Sequence, residues 1–243
     1  AALLAGAQVK KFILREENDF ALGGEILGTL AGAGAPDMFF LCNPNNPTGR
    51  LTCPALIGQI AAVCERRGTL FVLDECFLPF TGAPSARPLL NAHPHLVIVD
   101  AFTKLYAMAG LRLGFMISGD RRLVEQVAGF GQSWSVSAPA QTAGLAALSC
   151  GVEWTVRTRA VVAAERAFVR AGLRELGFKV YDGAANYVLF RSEKPLLESM
   201  LAQGILIRSC ANYTGLDERY CRVGVKRRAE NERLLAALRR ALA

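Results

Sequence analysis

The chain has 243 residues, 52% of them apolar and 20% charged, and carries a formal net charge of +7. That length buries a sizeable core in one or two domains, and the apolar residues fall in short runs rather than in a stretch of roughly 20 that would cross a bilayer. The basic excess sits on Arg157, Arg159, Arg166, Arg170 and Arg174 and again on Arg227, Arg228, Arg233, Arg239 and Arg240, interleaved with Glu165, Glu175, Glu230 and Glu232. This is the pattern of solvated helix faces, and no nucleic-acid motif accompanies it.

Along the chain, residues 37–42, 69–73 and 96–99 are short continuous apolar runs, the pattern of strands buried on both faces. Between the first two, residues 54–64 predict a helix, with Thr52 and Cys53 as caps, Pro54 in the first turn and Gly68 as the stop. The alternation predicts an α/β fold with a mostly parallel sheet. From about Gly151 an amphipathic pattern runs to Leu176, followed by strand-like residues 178–181 and 186–191. A helix near 194–203, short runs at 205–208 and 221–225, and a final helix over 228–242 complete it. The expected division is a partial large α/β domain over residues 1–150 and a small α+β domain over residues 151–243, with the ligand between them.

The chemistry sits in loops that follow the first three strands. Asn46 lies in Asn45-Asn46-Pro47-Thr48-Gly49, Asp74 follows Leu73, and Lys104 lies in Thr103-Lys104, eight residues before Arg112. In open parallel sheets, ligands bind outside the carboxyl ends of the strands, which is where these loops emerge. An amine, a carboxylate, an amide and a guanidinium placed there suit pyridoxal 5′-phosphate. Lys104 would hold its aldehyde as a Schiff base, and Asp74 would pair with the ring nitrogen. Arg112 and Thr103 would hold the phosphate, and Asn46 would donate to the phenolic oxygen. His93-Pro94-His95 lacks a third ligand at a recognisable spacing, so it predicts solvated turn residues and no metal. The seven cysteines form no C-x-x-C pair and lie mostly in apolar contexts, as expected for reduced, buried thiols.

These loops, together with Asp74-Glu75-Cys76-Phe77, Gly110-Leu111-Arg112-Leu113-Gly114, Ala185-Asn186-Tyr187-Val188-Leu189 and Cys221-Arg222-Val223-Gly224-Val225, resemble the pyridoxal-phosphate enzymes of fold type I. The nearest subset is the threonine-phosphate decarboxylases of cobalamin synthesis and their relatives, the histidinol-phosphate aminotransferases. The resemblance implies that Lys104 and Asp74 are catalytic and that Arg222 grips the substrate α-carboxylate beside Asn46. It assigns Arg208 to an anionic substrate group. It also implies a cytoplasmic homodimer that decarboxylates O-phospho-L-threonine to (R)-1-amino-2-propanol phosphate, with histidinol-phosphate-type transamination or an inactive dimerising remnant as alternatives.

Departures from the family pattern carry expectations of their own. Phe77 replaces a tyrosine that bonds the phenolic oxygen in many relatives, and Ala101 replaces a hydroxyl residue that contacts the phosphate. Ser137 replaces an expected asparagine. Relatives are longer at the amino end, so the chain is expected to be a fragment without the loop that caps the phosphate and the aromatic residue that stacks on the ring.

Overall fold

The computed structural model describes residues 2–242. Strands β1 (Met38–Cys42), β2 (Leu70–Asp74), β3 (Leu96–Ala101) and β4 (Gly114–Ser118) form one sheet in that order, parallel except for β4, which runs antiparallel to β3. Helices α1 (Glu25–Ala31) and α2 (Pro54–Arg67) cover one face, where Leu30, Ile57 and Ile60 pack against Leu41, Phe71, Leu73 and Ile98. Helix α2 forms because its apolar residues recur three and four apart and Pro54 opens its first turn. It ends at Gly68, whose φ of 68° lets its amide reach back to the carbonyls of Cys64 and Glu65. The register sets Cys42 opposite Asp74 and Asp74 opposite Val99, so β1 and β2 end level and β3 runs on to Ala101 before the helix that carries Lys104.

Helices α3 (Phe102–Leu105), α4 (Arg121–Gly129) and α5 (Ala138–Ser149) follow, and then the long α6 (Gly151–Glu175). Near its middle, Val162 packs with Phe80 and Leu105 of the first half, while Val169 and Leu173 enter a second core. That core lies on a second sheet, built from β5 (Lys179–Val180), β6 (Tyr187–Arg191), β7 (Arg208–Ser209) and β8 (Tyr220–Gly224) in the antiparallel order β5-β6-β8-β7. Helices α7 (Leu197–Leu201) and α8 (Arg228–Leu242) close it with Met200, Leu234 and Leu238.

Several sequence expectations are corrected. Helices α1, α4 and α5 and strand β4 had no assignment, and the run at 205–208 contributes only Arg208 to a strand. Ser137 caps α5, accepting a hydrogen bond from the Ala140 amide. Glu165 is not solvated. It is 9% exposed, takes two nitrogens of Arg228 and the side-chain amide of Asn231, and so ties α6 to the start of α8. A buried carboxylate needs such donors, and amphipathic periodicity alone does not reveal them. His95 pairs with Glu65 at 2.9 Å, joining the start of β3 to α2.

The amino-terminal segment crosses to the second sheet. Leu14 and Phe20 pack with Tyr181, Leu189 and Tyr220, and the Glu16 carboxylate accepts from Lys179, Tyr181 and Tyr220. Burial pushes the Glu16 carboxyl up, but the hydrogen bonds from Lys179, Tyr181 and Tyr220 outweigh it and bring it down to about 2.

The two sheets meet through backbone. The Ala184 amide donates to the Gly49 carbonyl at 2.8 Å, and Arg166 bonds the carbonyls of Ala184 and Ala185. Arg170 pairs with Asp182. A Cβ on Gly183 would lie 2.7 Å from the Thr48 carbonyl oxygen, a contact that only the absence of a side chain permits. Gly183→Ala is therefore expected to destabilise the chain by about 1–3 kcal/mol. Gly58→Ala, in α2 with open space around it, should stabilise by roughly 0.5–1 kcal/mol. Urea unfolding midpoints of the two variants check both signs.

Candidate active site

The loop after β1 is a rigid turn. The Asn45 amide donates to the Arg50 carbonyl and the Gly49 amide to the Asn45 carbonyl, while the Thr48 hydroxyl donates to the Asn45 side chain at 3.0 Å. The Asn43 side chain accepts from the Thr52 amide at 2.9 Å. These bonds leave Asn46 facing the second sheet, where its Oδ1 accepts from Arg222 Nη1 at 2.5 Å and from the Tyr213 hydroxyl at 3.2 Å. The Tyr187 hydroxyl donates to the Asn45 carbonyl at 2.7 Å. Its ring lies under the Arg222 guanidinium at 4.9 Å and meets Phe77 edge-on at 5.0 Å. Lys104 places its amine 5.5 Å from the centre of the Phe77 ring. A continuous path of contacts thus runs from Lys104 through Phe77 and Tyr187 to Arg222 and Asn46.

Asp74 stands at the end of β2. Its Oδ1 accepts from the Cys76 amide at 2.9 Å and its Oδ2 lies 3.8 Å from Cys42 Sγ. Among the described residues no cation lies within ion-pair distance of this carboxylate, and none of Lys104, Arg208 and Arg222 has an ion-paired carboxylate. Arg208 is exposed and pairs directly with Arg222 across β7 and β8. Like charges set opposite one another across a sheet oppose folding, so this pair is suited to an anion that lies outside the protein.

Thr103 is buried in α3, whereas Arg112 is exposed with a φ of 56° and bonds the Ala109 carbonyl of its own turn at 2.9 Å. Its guanidinium is thus held by the carbonyl of its own turn, and no hydrogen bond joins it to Thr103. Tyr187 and Tyr213 carry contacts that the sequence did not announce. Tyr187 lay in a quoted motif but had no role, and Tyr213 stands in an irregular turn with no pattern to single it out.

A cleft of about 400 Å³ is lined by Glu75, Asp100, Phe102 and Arg159. None of Asn46, Asp74, Lys104 or Arg222 lines it, and its carboxylates are engaged by Ser85 and Arg87.

The family model for aminotransferase class I and II matches residues 1–238. The chain belongs to that family. Its fold is fold type I, and the cofactor of the family is pyridoxal 5′-phosphate. The threonine-phosphate decarboxylase of Salmonella typhimurium is 40% identical over 98% of this chain and 66% of its own length. A histidinol-phosphate aminotransferase of Symbiobacterium thermophilum is 36% identical over 87% of this chain and 58% of its own length. Among solved structures, the L-threonine-O-3-phosphate decarboxylase of Porphyromonas gingivalis superposes with a TM-score of 0.77 at 31% identity, covering 86% of this chain and 65% of that one. The chain thus spans less than two thirds of the length of these curated relatives. No helix among the described residues is long and apolar enough to cross a membrane.

Within this aminotransferase-family chain the thiols around Asp74 are held neutral. Burial, reinforced by the neighbouring Asp74 charge, pushes the Cys42 thiol up to about 12, and burial with the same carboxylate raises Cys76 as well. Burial lifts Cys64 and Cys210 to about 11 and Cys221 to about 12. Cys53 and Cys150 are exposed, against the expectation that the thiols are buried, because each caps a helix end at the surface. Iodoacetamide at pH 8 is therefore expected to modify Cys53 and Cys150 first and to spare Cys42 and Cys76. Peptide mass spectrometry over a time course checks the order.

Proposed function

We propose that the chain is part of a pyridoxal-phosphate enzyme that decarboxylates O-phospho-L-threonine to (R)-1-amino-2-propanol phosphate for cobalamin synthesis. The observation that carries the substrate class is the Arg208–Arg222 pair, two permanently charged forks on neighbouring strands with no carboxylate partner among the described residues. A substrate with a carboxylate and a phosphate supplies one anion to each. The likeness to the Salmonella threonine-phosphate decarboxylase supports the choice within that class.

The residues present fit the cofactor. Asp74 receives only an amide and a thiol from the protein, so a protonated ring nitrogen would be its first cationic partner. The Lys104 amine carries no ion pair, and Asn46 has its amide nitrogen unengaged while its oxygen is taken. Thr103 and Arg112 are the phosphate ligands in this reading, Arg112 after leaving the Ala109 carbonyl. Bound there, the cofactor would supply an electron sink for the breaking bond at the substrate α-carbon. Arg222 sets which bond that is by gripping the substrate carboxylate, and Arg208 fixes the other end of the molecule. Lys104 returns a proton to the α-carbon, and Asp74 holds the positive charge on the ring nitrogen. In the same reading residues 1–150 and 151–243 are the large and small domains of a cytoplasmic homodimer.

The likeness to the Symbiobacterium histidinol-phosphate aminotransferase favours a second reading, transamination by the same residues. The two separate cleanly. Decarboxylation of O-phospho-L-threonine releases carbon dioxide with no 2-oxo acid present, whereas transamination requires one. Arg208→Gln should lower kcat/KM for O-phospho-L-threonine about 10- to 100-fold, the loss of one charge-assisted hydrogen bond. A strict need for 2-oxoglutarate would sink the decarboxylase reading.

A further inference from the structure

The Asn46 side chain is held by its oxygen alone, and its orientation follows from its partners. Arg222 is a donor with no acceptor, so the Asn46 atom 2.5 Å from Nη1 is the carbonyl oxygen, and the amide nitrogen points the opposite way. An amide oxygen has two lone pairs, and the Tyr213 hydroxyl at 3.2 Å takes the second. No protein acceptor among the described residues is bonded to the amide nitrogen.

The two donors differ in what else they must do. Arg222 stands ready for a substrate carboxylate, and a bidentate grip on that carboxylate competes with its bond to Asn46. Tyr213 has no such second duty. Its turn is pinned by its own amide on the Cys210 carbonyl at 2.9 Å and by the Leu216 amide on its carbonyl at 3.1 Å. Its ring is half-buried against the cluster of Phe20, Tyr181 and Tyr220.

We infer that Tyr213 is a positioning residue that keeps the Asn46 amide nitrogen turned into the cofactor site, including when Arg222 engages the substrate. The inference rests on the cofactor reading proposed above for its consequence, and on the Tyr213–Asn46 bond alone for its geometry. It also gives the site a hydroxyl acting one residue removed from the phenolic oxygen, in a chain where Phe77 offers none.

Tyr213→Phe keeps the ring and deletes the donor. Two measurements on the full chain test it. Without cofactor, hydrogen exchange of the peptide spanning residues 43–49 should quicken several-fold in Tyr213→Phe while peptides of α2 and α8 stay unchanged; unchanged exchange over 43–49 overturns the inference. With pyridoxal phosphate, the pH midpoint of the bound cofactor's visible absorbance should rise by about one unit, because a lost donor to the phenolic oxygen disfavours its ionised form. In an Asn46→Ala background the same substitution should move the midpoint no further, since the tyrosine acts through that amide. An equal shift in both backgrounds, or none in either, overturns the inference. A wild-type chain that binds no cofactor would count against the cofactor reading, and the exchange measurement would still decide the Tyr213 link.

Discussion

Arg222 Nη1 lies 2.5 Å from Asn46 Oδ1, and that single bond joins a strand of the second sheet to the loop leaving the first. The residues on either side are placed for chemistry only while the two sheets keep this relation. Asp74 and Lys104 belong to the first sheet and its following helix, and Arg208 and Arg222 to the second. The Gly49–Gly183 backbone contact sets how closely the sheets approach, and the carbonyl grip of Arg166 stiffens the loop that makes it. The Tyr187 hydroxyl on the Asn45 carbonyl adds a further tie between β6 and the loop after β1.

The charges follow from this arrangement. On α6 the buried Glu165 is paired with Arg228. At the candidate site, by contrast, Asp74, Lys104, Arg208 and Arg222 have no ionic partner among the described residues. Leaving charges unpaired at a partly desolvated site costs stability. Proteins tolerate that cost where a ligand supplies the missing partners, and a cofactor with a cationic ring nitrogen together with a doubly anionic substrate would do so here.

Much of this was legible in the sequence. The three apolar runs located β1–β3, although β1 is not buried on both faces as expected: Met38 is 46% and Phe40 64% exposed. Pro54 and Gly68 bracketed α2, and Asn46, Asp74 and Lys104 lie at or just after the expected strand ends, although Asp74 closes β2 itself and Lys104 sits in α3 rather than in a loop. What stayed hidden depended on contacts distant in sequence. Glu165 looked like one more residue on a solvated helix because its partners lie 63 and 66 positions away. Strand β4 had no turn signal to mark it as antiparallel. Tyr213 has a polar role only because its turn folds onto a loop 167 residues earlier in the chain. For Arg112, the spacing from Lys104 pointed to a phosphate, while its bond to the Ala109 carbonyl of its own turn had no signal in the sequence.

The account turns on Lys104 being the amine that a phosphorylated pyridine aldehyde seeks out. Borohydride reduction of the chain after incubation with pyridoxal phosphate, followed by digestion and mass spectrometry, reads this directly. The account predicts one stoichiometric adduct on Lys104 that is lost in Lys104→Ala and weakened in Asp74→Ala. Adducts scattered over surface lysines, with Lys104 no more modified than the rest, would contradict it.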